Sequence, residues 1–273
     1  MNPTAFTIFG IGITWYGIIL TTAMVLAVTL SMKSGKKQGF VADDFLDIGI
    51  VALPVAIIFA RAYYVLFNLS SYETFWEMIN IRQGGLAIHG GLIGGILAGV
   101  LVAKFKKMNI IRALDVVVPF IALAQSIGRW GNYVNQEAYG RATDLPWAIL
   151  IDGQRVHPTF LYESIWDFLV FLILSRKSNY KDYDGQLTAY YMILYSLGRF
   201  FIEGLRTDSL MLGNLRAAQI ASIVMIILGI LAILIFKDRG IGSSYVGFSK
   251  GKSSYNFAKT LRKEDGRSQK NGK

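Results

Sequence analysis

GITWYGIILTTAMVLAVTLSMKSGKK, residues 12–37, decides how the rest of the chain is read. Residues 12–32 contain no charged side chain. They are long enough to cross a hydrocarbon core, which takes about 20 mainly apolar residues. Lys33, Lys36 and Lys37 follow at once, and no Lys or Arg comes before. A cleavable signal peptide has its positive charge in front of the apolar stretch. This segment has it behind, so it reads as a retained membrane span with its far end in the cytoplasm.

The same pattern continues outward. Apolar segments of spanning length lie near 44–67, 86–104, 112–128, 160–175, 186–204 and 213–236. Pro54 and Pro119 fall inside two of them, which membrane helices tolerate. Of the 273 residues, 53% are hydrophobic and 17% charged, against roughly 25% charged in a soluble domain. Mean hydropathy is +0.43. The expectation is an all-α polytopic membrane protein with about seven transmembrane helices. Residues 1–236 form one bundle, 128–160 a small extracytoplasmic head, and 237–273 a basic, disordered cytoplasmic tail.

Orientation follows from the basic residues of the loops. Lysines occur only after the first, third, fifth and last apolar segments, the last group running through the tail. That alternation places the N-terminus outside and the C-terminus in the cytoplasm. The net charge of +10 is therefore a topology signal, with a tail suited to anionic headgroups, and nucleic acid is not an expected partner. The chain has no cysteine and two histidines, His89 and His157. Disulfides, thiolate metal sites and a cysteine nucleophile are excluded, no HExxH occurs, and no metal is expected.

With lysine confined to the cytoplasmic loops and tail, the arginines outside them are Arg61, Arg82, Arg129, Arg141, Arg155, Arg199, Arg206 and Arg216. Most fall at the outer ends of spans or in outer loops. Guanidinium forks suit bidentate phosphate recognition, and an intramembrane arginine is a functional suspect; the bland reading is snorkelling or structural pairing. Four segments gather the polar chemistry. GGLAIHGGLIGG at 84–95 opens a span with His89 among glycines, a possible acid, base or donor, or a packing stripe with an interfacial His. GRWGNYVNQEAYG at 128–140 brings Arg129 for a phosphate, Asn132 and Asn135 for ester or phosphate oxygens, and Glu137 as an ion-pair partner or base. On the sixth span Tyr195, Arg199 and Glu203, four residues apart, share one face, followed by Arg206. HPTFLYE at 157–163 holds His157, read as structural, with Tyr162 and Glu163 lining the bundle. Trp15 and Tyr16 read as an aromatic belt.

Together HGGLIGG (89–95), GRWGNYVNQEAYG (128–140), HPTFLYE (157–163) and GRFFIEGLR (198–206) resemble the bacterial phosphatidylglycerol–prolipoprotein diacylglyceryl transferases. The likeness runs from the first span to the seventh and leaves out the tail. Tyr133 stands where Phe is usual in that family, and Phe160 where Gln is common. The resemblance implies a bacterial cytoplasmic-membrane enzyme whose active site faces outward. It moves the diacylglyceryl group of phosphatidylglycerol onto the lipobox cysteine of a prolipoprotein signal peptide, giving a thioether and glycerol phosphate. The family's functional positions fall on Tyr16, His89, Arg129, Asn132, Glu137, Gly140, Tyr195, Arg199 and Glu203. Arg129 and Arg199 would stabilise the leaving phosphate. His89 is the first candidate for the thiol proton, with Glu137 or Glu203 as substitutes, unless arginine charge alone lowers the thiol pKa. No cofactor is needed, because the lipid is an activated donor. Phosphatidylglycerol, the signal peptide and membrane lipid are the expected partners. A transporter of an anionic solute is the alternative, but it should carry its polar residues at the midplane in paired halves.

Overall fold

The computed structural model describes residues 3–81, 84–213 and 215–238. Arg82 and nearly all of the basic tail lie outside the described residues. Among them are eight α-helices: α1 Trp15–Lys37, α2 Ala42–Leu66, α3 Phe75–Ile79, α4 Ile88–Phe105, α5 Ile110–Asn135, α6 Thr159–Lys177, α7 Gln186–Glu203 and α8 Ala217–Asp238. Seven of them, all but the short α3, follow the seven apolar segments. α1, α2, α4, α5 and α8 are long and apolar enough to cross a membrane. Helices α6 and α7 are of similar length but carry Glu163, Asp167, Arg199 and Glu203, which lowers their hydropathy. The protein is a helical membrane protein.

Local sequence sets where the helices start. The Thr14 hydroxyl accepts from Gly17 N at 3.1 Å to open α1, and Asn109 does the same for Arg112 N at 3.1 Å in α5, both N-cap bonds. Helix α7 begins after Gly185 (φ 92°) with no cap from its own side chain. Asp115, wholly buried on α5, supplies one instead: it accepts from Gly185 N at 2.8 Å, Thr188 N at 2.9 Å and Thr188 Oγ1 at 2.9 Å. Lys181 closes this buried group with ion pairs to Asp115 at 3.1 Å and Asp184 at 2.9 Å.

Lipid tails are as apolar as leucine, so close packing holds the helices together more than the exclusion of water does. Helix α4 lies against α2 on Gly90 and Gly94, over which pass the Phe59 backbone and ring. Large apolar side chains such as Ile57, Leu101 and Ile227 face outward, as a lipid-facing surface requires. Inside, Val118 and Ala122 of α5, Val170 and Leu174 of α6 and Leu187 of α7 form the core, and α8 packs on α7. This core joins α5, α6 and α7, the helices that carry the arginines.

Two features depart from the sequence reading. The helix of the fourth apolar segment does not stop near Gly128; α5 runs on to Asn135, with Arg129 paired to Glu163 of α6 and Asn132 bonded to Glu137. Three two-stranded antiparallel hairpins also appear: β1 Thr4–Ile8 with β2 Ile11–Thr14, β3 Ile149–Ile151 with β4 Gln154–Val156, and β5 Met211–Leu212 with β6 Leu215–Arg216. The second turns at Asp152-Gly153, both at positive φ, the two-residue turn that matches strand twist.

Candidate active site

Helices α5, α6 and α7 bring three arginines to one carboxylate. Glu163, 4% exposed on α6, pairs with Arg129 Nη2 of α5 at 2.5 Å and with Arg199 Nη1 of α7 at 2.7 Å. Arg206, just past the end of α7, approaches the same group at 3.6 Å. Glu203, one turn after Arg199, takes Arg199 Nη2 at 2.7 Å and lies 3.9 Å from Arg206 Nε. Asp167 lies one turn deeper on α6, its Oδ2 4.0 Å from Arg129 Nε. Glu163, Asp167 and Glu203 are all buried, and each faces at least one guanidinium.

Beyond the helix end, Asp208 receives two hydrogen bonds from Arg206, at 3.0 and 2.8 Å. Burial alone would push the Asp208 carboxyl up, but those two bonds and the charge of Arg206 outweigh it and hold the group below the usual carboxylate range. The Arg206 side chain is thereby anchored with one edge toward Glu163. Gly140 makes this possible. It bridges to Arg206, its N–H donates to His157 O at 3.0 Å, and a Cβ there would stand 2.7 Å from His157 Cβ and 3.0 Å from Leu205 O. Its part is close backbone approach, tying the loop after α5 to the end of α7.

A second polar group sits at the end of α5. Asn132 donates to Glu137 Oε1 at 2.9 Å, and Asn135 reaches the same oxygen at 3.4 Å. Glu137 is exposed and is flanked by Gln136 (φ 54°) and Ala138 (φ 58°), two left-handed non-glycine residues; such strained positions gather at functional sites. Tyr16 of α1 packs its ring on Gly131, within electrostatic reach of Glu137 and Arg129. Tyr195 stacks on Tyr191 at 5.6 Å, within reach of Arg129 and Arg199, and Tyr191 donates to Gln125 Oε1 at 2.9 Å.

His89 is placed apart from these residues. It is exposed near the start of α4, its ring 6.2 Å from Tyr63 of α2. Among the described residues no hydrogen bond or ion pair links it to the arginines. The remaining arginines divide by use. Arg61, 6% exposed, donates to four carbonyls, those of Glu77, Met78, Gly84 and Gly85, at 2.7 to 3.1 Å. Arg155 donates to Leu145 O at 2.8 Å, and Arg216 to Glu203 O. These hold loops and helix ends. His157 bonds Tyr162 at 3.2 Å, and Tyr162 also accepts from Trp147 at 2.8 Å, a structural knot.

Sequence reading gave Glu163 only a place in the bundle wall and gave Asp167 none. Their spacing of four from each other, on a helix that should otherwise be apolar, was the available signal.

The sequence profile of the prolipoprotein diacylglyceryl transferase family matches residues 3–235. The chain belongs to this family. It is 54% identical over 233 residues to a phosphatidylglycerol–prolipoprotein diacylglyceryl transferase of Clostridioides difficile, covering 85% of this chain and 94% of that one. A transferase of the same name from Finegoldia magna is 49% identical over 245 residues, covering 89% and 99%. One from Clostridium perfringens is 49% identical over 252 residues, covering 88% and 96%. The prolipoprotein diacylglyceryl transferase family thus accounts for the bundle and its arginines and leaves out the basic tail. The chain is a multi-pass bacterial membrane protein and a transferase.

Proposed function

We infer that this chain transfers the diacylglyceryl group of phosphatidylglycerol to a prolipoprotein, and that the arginines around Glu163 hold the lipid's phosphate while it leaves. The observation that carries the second part is the meeting of Arg129 and Arg199, from separate helices, on one buried carboxylate. The thiolate of the lipobox cysteine attacks the glyceryl carbon, a C–S bond forms, the C–O bond to phosphate breaks, and glycerol phosphate departs with the bonding electrons. Negative charge grows on the phosphate oxygens, where preorganised guanidiniums stabilise it. Arg206 adds a third cation, and Asn132 and Asn135 offer amide donors near Glu137.

The thiol proton goes to a base on the same face of the membrane. His89 at the start of α4 remains the first candidate; Glu137, just past the end of α5, and Glu203 on α7 are the alternatives. All seven long helices span the membrane in this reading. Lys36, Lys37, Lys104, Arg176, Lys177 and Lys237 fall in the last turns of α1, α4, α6 and α8, which supports a cytoplasmic position for those ends and an outer one for the arginine group. Residues 136–158 then form the extracytoplasmic head.

Labelled phosphatidylglycerol with a lipobox peptide tests the reading on the purified protein. Arg129→Ala and Arg199→Ala are expected to lower transfer by about 10²-fold or more while the protein still inserts. His89→Asn is expected to abolish transfer and leave lipid binding in place. Wild-type rates in all three variants refute the site.

A further inference from the structure

Asp167 is 2% exposed, inside the bundle, and its Oδ2 has no hydrogen-bond partner among the described residues. A carboxylate in that setting is costly unless a cation compensates it. Its ion-pair contacts run to Arg129, whose Nε stands 4.0 Å away. Glu163 and Asp167 are four residues apart and share one face of α6, so the two carboxylates meet the same guanidinium. Glu163 takes Nη2 at 2.5 Å and Asp167 faces Nε; Nη1 is in neither pair.

The two contacts differ in kind. Glu163 is shared, since Arg199 and Arg206 also draw on it. Asp167 has Arg129 as its ion-pair partner among the described residues. Nε and Nη2 are neighbours on one edge of the guanidinium, so a phosphate that takes the Nη1–Nη2 end competes with Glu163 for Nη2 and leaves Nε to Asp167. We propose that Asp167 is a positioning residue for Arg129: it holds Nε while the Nη1–Nη2 end passes from Glu163 to a phosphate oxygen of the donor lipid. The 4.0 Å gap is about 1 Å longer than a charged hydrogen bond, and it closes as Arg129 lets go of Glu163. Asp167 acts through Arg129 and does not touch substrate. The proposal rests on the reading that Arg129 grips the lipid phosphate.

The experiment uses the full chain purified in detergent, with phosphatidylglycerol and a lipobox peptide, following kcat and the two KM values separately. Wild-type protein that transfers nothing sinks the functional reading itself, whatever Asp167 does. With transfer established, Asp167→Asn is expected to lower kcat by about tenfold or more and to raise KM for the lipid, with KM for the peptide within about twofold of wild type. Asp167→Glu, which keeps the charge, is expected to recover most of the loss. Wild-type kcat and lipid KM in Asp167→Asn overturn the proposal, as does an Asp167→Glu variant no better than Asp167→Asn, or an equal rise in both KM values. If Asp167→Asn and Asp167→Ser both fail to fold, the residue is structural and the proposal also falls.

Discussion

Glu163 offers two oxygens to guanidiniums from α5, from α7 and from the loop beyond α7. Replacing it by Gln keeps the size and removes the charge on which all three converge. Breaking a buried ion pair from one side costs about 3–5 kcal/mol, so Glu163→Gln is expected to lower the melting temperature and to cut transfer by about 10²-fold as the arginines lose alignment. A calorimetric scan beside the labelled-lipid assay checks both. A variant that melts and transfers like wild type removes Glu163 from the site. At this scale the sequence was half legible. Arg129, Arg199 and Glu203 stood out because charge is rare in an apolar run. Glu163 was hidden behind the HPTFLY segment, where a carboxylate reads as part of the helix entry, and only the packing of α6 shows that it faces two other helices. Arg61 looked like a member of the same group of arginines, yet its donors are committed to backbone carbonyls of 77–85, a use that spacing cannot reveal.

The glycines of α4 make a test of element packing. Gly90 and Gly94 point at α2, and a Cβ at Gly94 would stand 2.5 Å from Phe59 Cβ. Gly91 and Gly95 look along the same pair of helices but with 3.6 and 3.5 Å to their neighbours, ordinary contact distances. Gly90→Ala and Gly94→Ala are therefore expected to destabilise the protein by about 1–3 kcal/mol, with Gly91→Ala and Gly95→Ala close to neutral; thermal melts of the four variants in one detergent read the difference. If all four behave alike, α2 and α4 do not pack as described. The seven long helices were legible because each is a run of apolar residues bounded by charge or glycine. The hairpins were not, since strands of two to five residues give little periodicity, although Asp152-Gly153 between apolar runs is a turn signal that could have found the second. The continuation of α5 to Asn135 was lost for another reason: hydropathy falls at Gly128, where the side chains turn polar while the helix itself goes on.

On the proposed orientation the lysines mark one side of the molecule and the arginines around Glu163 the other. Because the chain has no cysteine, single substitutions can report its sidedness. Lys107→Cys, beyond the end of α4, is expected to resist membrane-impermeant thiol reagents in intact cells, and Gln154→Cys on β4 is expected to react; the reverse pattern inverts the orientation. Lys181 is the exception among the described lysines. On the proposed orientation it lies in the cytoplasmic α6–α7 loop, yet its side chain is 1% exposed, enclosed with Asp115 and Asp184. Asp115 comes from a different helix, so the enclosed ammonium ties the start of α7 to α5. The α6–α7 hairpin therefore cannot be turned over without first prising α5 away.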